Sequence, residues 1–223
     1  MNGTLIVIDG LDGSGKQTQA RLLRERLERE RVPVRAISFP DYGQPSSALV
    51  RLYLDGRFGQ ADEVSAYAAS SFYAVDRFAS YMQFWKDDYL SGHTILADRY
   101  TTSNLIHQMS KLPREEWGRF IAWLEAYEYD EMKLPRPDLV LYLDMYPDVS
   151  RELLSVRYRR DERKKDIHEA NFAYLQRCRG CALYAAERFG WRVIPCSDER
   201  RPFGIEEIAE RVYEAAAACI RRP

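Results

Sequence analysis

The feature that most constrains the fold is a glycine-rich segment near the N-terminus, GLDGSGK at residues 10–16. It follows an apolar run at Leu5–Ile8 and precedes an amphipathic stretch at Gln17–Arg31, a pattern that predicts strand, loop and helix in register. Glycines let successive backbone N–H groups turn inward around an anion, and the helix start adds its positive end. With Lys16 as a mobile charge, the segment predicts a binding loop for the phosphates of a nucleoside triphosphate.

The loop departs from the usual phosphate-binding pattern at one position. The pattern places Ser or Thr directly after the lysine as a Mg²⁺ ligand, whereas this chain has Gln17 there and Thr18 next. Mg²⁺ keeps several waters and binds through phosphates and one or two carboxylates, so the hydroxyl is not indispensable. Asp98, which follows the apolar run TILA, is the candidate carboxylate for the metal, with a cap or turn role as the alternative.

Short apolar runs alternate with longer stretches of helical periodicity along the 223 residues. This alternation predicts an α/β fold, a three-layer domain over residues 1–223 in which a five-stranded parallel sheet is covered by helices on both faces. The strands are predicted at Leu5–Ile8, Val34–Phe39, Thr94–Ala97, Leu139–Leu143 and Arg192–Ile194. The helices are predicted at Gln17–Arg31, Asp62–Leu90, Arg114–Tyr127, Val149–Arg160, His168–Phe189 and Ile205–Arg221.

Charge and composition exclude several classes of partner. Lys and Arg number 33 against 34 Asp and Glu, a formal charge of −1, so no global field favours nucleic acid or an anionic membrane. No apolar run approaches the ~18 residues of a membrane span and no signal sequence precedes the first strand, so we expect a cytoplasmic protein. Cys178 and Cys181 form a C-x-x-C pair in a predicted helix without a second pair to complete a zinc site, which favours a structural role over a redox one.

Three further segments carry side chains suited to a second, small substrate. They are FPDYGQPSS at 39–47, FYAVDR at 72–77 and DRYTTSN at 98–104. Ligands bind beyond the carboxyl ends of parallel strands, so the first and third segments should face the phosphate loop and bring Arg99 to it. Tyr73 and Arg77 lie four residues apart on one helical face, where an aromatic plane and a fork of donors can contact a base. The alternative is a surface arginine beside a core tyrosine.

Together these motifs resemble those of the thymidylate kinase family, nucleoside monophosphate kinases with the P-loop NTPase fold. The resemblance rests on GLDGSGKQTQ, FPDYG, FYAVDR, DRYTTSN, PDLVLYLD and KKDIHE, in order through nearly the whole chain. It implies that ATP with Mg²⁺ phosphorylates dTMP to dTDP. It also implies a homodimer formed through helices such as the one predicted at 62–90, and neither a nucleic-acid nor a membrane partner.

The resemblance further implies roles for individual residues. Tyr73 would stack on thymine, Arg77 would donate to its O4, and Asn104 would contact the pyrimidine edge. ATP would be held at Gly10, Asp12, Gly13, Ser14, Gly15, Lys16, Gln17 and Thr18. The acceptor would contact Asp12, Phe39, Pro40, Tyr42, Tyr73, Arg77, Arg99, Ser103, Asn104 and His107. Catalysis would fall to Lys16, Asp98 and Arg99, with Asp98 holding the metal through water or phosphate.

A run of charge, RYRRDERKKD at residues 157–166, has almost no apolar content. On its own such a run indicates a solvated helix end or loop. The resemblance implies instead a short basic lid within about 155–167. Gly13 stands where some family members carry a catalytic arginine in the phosphate loop, so the lid would supply that charge. The sequence leaves the choice open among Arg157, Arg159, Arg160 and Arg163.

Two alternatives to thymidylate phosphorylation remain open at this stage. One is a kinase of the same fold that acts on a deoxynucleoside or another monophosphate. The other is an inactive nucleotide-binding regulator. Gln17 is one argument for it, and the second is Tyr42, which stands where many family members carry an arginine near the acceptor phosphate. His107 stands where family members often carry a tyrosine near the sugar's 2′ position, so the preference for deoxyribose is the property left open.

Overall fold

Five parallel strands form the centre of the fold. The computed structural model describes residues 2–158 and 172–220. The strands lie in the order β2-β3-β1-β4-β5, and each neighbouring pair is parallel. The five-stranded parallel sheet predicted from the sequence is therefore confirmed. The strands are β1 Leu5–Gly10, β2 Val34–Ser38, β3 Thr94–Asp98, β4 Leu139–Asp144 and β5 Arg192–Pro195.

Helices connect the strands and cover the sheet. The α-helices of the described residues are α1 Lys16–Arg29, α2 Ala48–Leu54, α3 Ala66–Ser80, α4 Lys86–Leu90, α5 Trp117–Glu125, α6 Pro147–Tyr158, α7 Phe172–Phe189 and α8 Ile205–Ile220. Short 3₁₀ helices occur at Pro45–Ser47, Met109–Lys111 and Arg114–Glu116. Three π-helical segments occur at Tyr81–Trp85, Asn104–Gln108 and Ala126–Glu131.

Side chains alternate along the strands and so build a core on each face of the sheet. Ile6 and Ile8 of β1 pack with residues of α1 and α8 on one face. Leu5 and Val7 belong to the opposite core, with Trp85 as its largest member. Because both faces are covered, the inner strands β1, β3 and β4 are nearly continuous apolar runs, and this made them visible in the sequence.

The long helix predicted at 62–90 is divided in the structure. Its helical part begins at Ala66, because the Ser65 side chain caps it by accepting a hydrogen bond from the Ala68 backbone N–H at 3.1 Å. The π-helical segment Tyr81–Trp85 then separates α3 from α4. Both end residues of that segment pack on the sheet, with ring centroids 4.6 Å apart. Apolar residues four apart suit an α-helix equally well, so the sequence pattern did not reveal the interruption.

Other differences concern short elements. The helix α2 was not predicted because seven residues are too few to show a periodic pattern. The helix predicted at Arg114–Tyr127 is a 3₁₀ turn followed by α5, and the π-helical segment Ala126–Glu131 extends it. The basic lid predicted within about 155–167 lies outside the described residues apart from the last turn of α6.

The strand register brings the polar segments of the sequence together. Ile8 of β1 and Ser38 of β2 both pair with Asp98 of β3, so these three strands end at the same edge of the sheet. The phosphate loop follows β1 at this edge, and the segments beginning at Phe39 and Arg99 follow β2 and β3. The expectation that they face one crevice is therefore met by the topology.

Candidate active site

A cavity of 920 Å³ opens at the carboxyl ends of the strands. Most of the residues that the sequence assigned to a site line it. They are Asp12, Gly13, Gly15, Lys16, Gln17, Thr18, Phe39, Pro40, Tyr42, Tyr73, Arg77, Asp98, Arg99, Ser103, Asn104 and His107. Gly10 and Ser14 belong to the loop but do not line the cavity, and Ser14 is almost fully buried.

The phosphate loop has the backbone that anion binding requires. Gly13 and Gly15 have φ values of 82° and 86°, a left-handed conformation that favours glycine. A Cβ at Gly13 would also lie 2.9 Å from the Ser150 backbone oxygen of α6, so the loop closely approaches that helix. Lys16 Nζ donates hydrogen bonds to the backbone oxygens of Gly10 and Leu11 at 2.9 and 2.7 Å. The lysine is thereby held over the loop, where phosphate oxygens would lie.

Arg99 connects the phosphate loop to the end of β3. Its guanidinium donates to Asp12, lies 3.6 Å from a carboxylate oxygen of Asp9, and contacts Ser103 Oγ at 3.4 Å. Arg99 also has a φ of 68°, in the left-handed region that costs a non-glycine residue free energy. The strand end is thus turned so that the arginine points back across the sheet edge towards the loop.

These charges set the ionisation of the site. Burial would raise the pKa of Asp12, but Arg99 and Lys16 overcome it and hold that pKa well below its usual range. Burial lowers the pKa of Lys16, and the neighbouring Arg99 lowers it further. Burial would likewise lower the pKa of Arg99, but three surrounding aspartates raise it. The cavity therefore carries fixed charges of both signs at neutral pH, a preorganised setting for a polyanionic ligand.

The His107 ring is hydrogen-bonded to Arg99 and is therefore not available as a general base. Its Nε2 lies 3.0 Å from Arg99 Nη1, and its Nδ1 lies 3.2 Å from the Tyr174 hydroxyl. A guanidinium can only donate, so Nε2 is the accepting nitrogen and the ring proton resides on Nδ1. The expected position of His107 at the cavity is met, and its ring supports the arginine that faces the loop.

Asp98 is the acidic group most suited to a metal-bound water. Its Oδ1 is buried, and no described residue donates a hydrogen bond to it. Burial raises the pKa of Asp98, a cost that an added cation or water would relieve. Within the described ranges, 2–158 and 172–220, no group of three or more His, Cys, Asp or Glu side chains could hold a metal by itself.

The base-binding candidates lie on α3. Tyr73 lines the cavity and packs edge-on against Tyr53, with ring centroids 6.3 Å apart. Arg77 lines it too, but its side chain is only 1% exposed, so the alternative of a surface arginine is wrong. The Arg77 guanidinium forms a two-pronged ion pair with Glu128, at 2.7 and 2.6 Å. The sequence did not single out Glu128, because AYEYDE at 126–131 offers several acids and nothing in it marks the buried one.

Asp9 is a second residue that sequence reasoning missed. It ends the apolar strand β1, is fully buried, and accepts hydrogen bonds from the hydroxyls of Thr102 and Ser103 at 2.7 and 2.8 Å. It also accepts one from the Gly10 backbone N–H at 2.8 Å. Asp9 therefore ties the segment after β3 to the start of the phosphate loop. The available signal was a carboxylate closing a strand that is otherwise wholly apolar.

The segment after β2 is held by a carboxylate of α3. Asp76 is buried and accepts hydrogen bonds from the Asp41 backbone N–H at 2.8 Å and from the Ser46 hydroxyl at 2.6 Å. Phe39 packs against Tyr100, with ring centroids 6.0 Å apart. Because Asp76 lies between Tyr73 and Arg77 in sequence, α3 positions both the base candidates and this wall of the cavity.

The cysteine pair is part of the core. Cys178 and Cys181 are free, fully buried thiols of α7, the helix predicted for them. Burial raises the pKa of Cys178 to about 11 and that of Cys181 to about 12. Thiols that stay protonated at neutral pH are poor nucleophiles, which agrees with the structural role expected from the sequence.

The fold and the cavity define a class of protein. A glycine-rich loop lies between the central strand and its helix, a lysine is held over that loop, and Arg99 follows the neighbouring strand. The loop and its lysine are the features of a P-loop nucleotide-binding protein. Among the described helices, none combines the length and the apolar character needed to cross a membrane.

Comparison with known proteins narrows this class. The family model for thymidylate kinase matches residues 8–201. The thymidylate kinase of Pelotomaculum thermopropionicum is 31% identical over 222 residues, covering 96% of each chain. That of Mycobacterium tuberculosis is 29% identical over 189 residues, covering 84% of this chain and 87% of its own. The thymidylate kinase of Candida albicans shares the fold, with a TM-score of 0.71 at 23% identity over 97% of this chain and 92% of that one. This chain belongs to the thymidylate kinase family, and it is a kinase whose substrates are nucleotides.

The Asp98 Oδ1 atom, which is buried without a hydrogen-bond donor among the described residues, leads to a stability prediction. A folded-state pKa above the unfolded value means that the ionised form opposes folding, so Asp98 costs stability at neutral pH and the cost disappears as pH falls. Without ligands, we expect Asp98→Asn to raise the free energy of unfolding by about 1 kcal/mol near neutral pH. The gain should shrink as the pH is lowered to about 4.

Urea denaturation across this pH range measures the effect, with Asp55→Asn at an exposed position as the control. A destabilised Asp98→Asn variant, or a gain that grows on acidification, would contradict the assignment.

Proposed function

We propose that this protein transfers the γ-phosphoryl group of ATP to dTMP, giving dTDP and ADP, as the family resemblance implies. The observation that carries the proposal is one cavity lined by both the phosphate loop and the α3 pair Tyr73 and Arg77. A triphosphate bound at the loop and a pyrimidine monophosphate bound against α3 would place donor and acceptor phosphates beside Arg99. The four cysteines are free thiols, which fits action in the reducing cytoplasm.

Charge neutralisation accounts for most of the chemistry. An acceptor monophosphate is a dianion near neutral pH, so the transfer needs no general base. Lys16 and Arg99 would neutralise the charge on the moving phosphoryl group, and Asp12 would keep Arg99 oriented across the loop. Bound Mg²⁺ would supply further positive charge to the ATP phosphates, and Asp98 is the carboxylate that would hold it through water.

One part of the proposal, the charge supplied by the lid, depends on residues that the structure does not describe. The lid arginines Arg159, Arg160 and Arg163 lie outside the described residues, and so does the side chain of Arg157. We retain them as candidates for the charge that Gly13 cannot provide. Gln17 is exposed at the start of α1 and lines the cavity, so it leaves the phosphate loop open to a ligand.

The site argues against a deoxynucleoside acceptor. A neutral hydroxyl would need a carboxylate base near the sugar. Among the described carboxylates at the cavity, Asp12 is paired with Arg99 and Lys16, and a group held in ion pairs is a weak base. Asp98 is the other one, and in this proposal it holds the metal-bound water. An acceptor that is already ionised therefore suits the site better.

An ADP-release assay with ATP and Mg²⁺ tests the proposed reaction. We expect strong turnover with dTMP and weak turnover with UMP, dUMP, CMP, dGMP and thymidine at equal concentration. Preferred turnover of thymidine or of another monophosphate would overturn the choice of acceptor. Silence with all six, while ATP still binds, would identify an inactive nucleotide-binding regulator.

Arg99 provides the sharpest mutational test of the mechanism. We expect Arg99→Ala to lower kcat by about 10²–10³-fold, because a preorganised positive charge is lost where charge develops in transfer. The control is Arg136→Ala, a half-exposed arginine that pairs with Glu125 away from the cavity and should leave kcat unchanged. Near-normal turnover in a folded Arg99→Ala variant would contradict the role, and circular dichroism verifies folding.

We also propose the homodimer that the family resemblance implies. Val75, Phe78 and Met82 lie on one side of α3 and its π-helical extension, and they are 42%, 39% and 48% exposed. Such a row of large apolar side chains is more typical of an interface than of a solvated helix face. Association through α3 would also stabilise the helix that carries Tyr73 and Arg77.

Light scattering after size exclusion tests the dimer. We expect the unmodified chain to run at twice the mass of one chain and the double variant Phe78→Glu with Met82→Glu to run as a monomer, because buried charge opposes association. Ile205→Glu, at an exposed apolar residue of α8, should leave the mass unchanged. A monomeric unmodified chain would contradict the proposal.

A further inference from the structure

The ion pair between Arg77 and Glu128 fixes the direction of a guanidinium in the cavity wall. Arg77 donates from Nε to Glu128 Oε2 at 2.7 Å, from Nη2 to Glu128 Oε1 at 2.6 Å, and from Nη1 to the Tyr100 backbone oxygen at 3.3 Å. A guanidinium has five N–H groups, so these bonds leave one hydrogen on each terminal nitrogen. Arg77 can therefore present only donors to a ligand, and it does so from a held position.

The same carboxylate also orients an amide. Asn104 Nδ2 lies 3.1 Å from Glu128 Oε1 and 3.4 Å from the Ser70 backbone oxygen. Both of these oxygens are acceptors, so the amide must turn its NH₂ group towards them. Asn104 lines the cavity and is left with its carbonyl oxygen, an acceptor, for a ligand.

Together the two side chains offer a donor beside an acceptor, a pattern that distinguishes pyrimidines. Thymine carries an acceptor at O4 and a donor at N3, whereas cytosine carries a donor at its 4-amino group and an acceptor at N3. We propose that Glu128 is the positioning residue that sets this pattern and thereby makes the acceptor site select a 4-oxo over a 4-amino pyrimidine. The inference rests on the proposed function, since it concerns the base of the same acceptor.

Glu128 does this without touching the ligand. It is fully buried in the π-helical segment Ala126–Glu131 and does not line the cavity. Its effect must therefore pass through Arg77 and Asn104. A buried ion pair contributes little net stability compared with apolar packing of the same volume, so stability alone is a weak reason for the pair. Its contacts with Arg77 and Asn104 supply a second role, the orientation of two cavity residues.

Two variants of Glu128 separate orientation from folding. Glu128→Gln replaces one accepting oxygen by NH₂, so the amide of Asn104 can reverse and present a donor to the base. Glu128→Asp keeps the negative charge beside Arg77 but is one methylene too short to serve both partners. For each variant we expect the ratio of kcat/KM for dTMP to that for 5-methyl-dCMP to fall about tenfold or more, mainly through a higher KM for dTMP.

The choice of substrates makes the readout specific. The bases of dTMP and 5-methyl-dCMP differ only at positions 3 and 4, so a variant that is merely less stable loses activity on both alike. The matched control is Asp144→Asn, which breaks a similar two-pronged pair with Arg179, at 2.7 and 2.8 Å, outside the cavity. It should lower the midpoint of thermal unfolding and leave the substrate ratio unchanged.

The outcomes distinguish this inference from the proposed function. An unmodified enzyme that turns over dTMP and 5-methyl-dCMP equally well would overturn the inference whatever the variants do. A folded Glu128→Gln or Glu128→Asp variant with an unchanged ratio would also overturn it. If the unmodified enzyme does not phosphorylate dTMP at all, the proposed function fails first, before any variant is compared.

Discussion

The site depends on one arginine that joins two strand ends. Arg99 leaves β3 in a left-handed backbone conformation and reaches Asp12 of the phosphate loop, with Asp9 at the end of β1 on its other side. The two segments are distant in sequence but adjacent in the sheet, so the ion pairs hold loop and strand in one geometry. Together with the hydrogen bonds from Thr102 and Ser103 to Asp9, this connection positions the phosphate loop relative to the segment after β3.

The cost of this arrangement is visible in the buried charges. Asp98 has a raised pKa and an oxygen without a hydrogen-bond donor among the described residues, while Lys16 has a lowered pKa. Neither charged group is in a position that favours the stability of the free protein. A bound polyanion would pair with Lys16, and its cation would pair with Asp98. Strain and desolvation concentrated at a binding site, with a well-packed sheet beneath it, are expected when a site is preorganised for its ligand.

Much of the fold and of the site was predictable, and the exceptions have physical reasons. The inner strands were visible because burial on both faces leaves them almost wholly apolar. The phosphate loop was visible because glycine and lysine at fixed spacing are required by the backbone geometry. The division of the helix at 62–90, the ion pair of Arg77 with Glu128 and the anchoring by Asp9 were not visible. Each depends on which side chains meet after folding, and the local pattern does not contain that information.

The sequence by itself determined the class of fold, the position of the phosphate loop and the set of side chains gathered around it. It did so because hydrophobic periodicity and loop chemistry are local properties of the chain. Only the tertiary structure decided which acid pairs with which arginine, which nitrogen of His107 accepts a hydrogen bond, and which way the Asn104 amide faces. Those choices follow from distances between residues far apart in sequence, and such distances exist only once the sheet has brought its strand ends together.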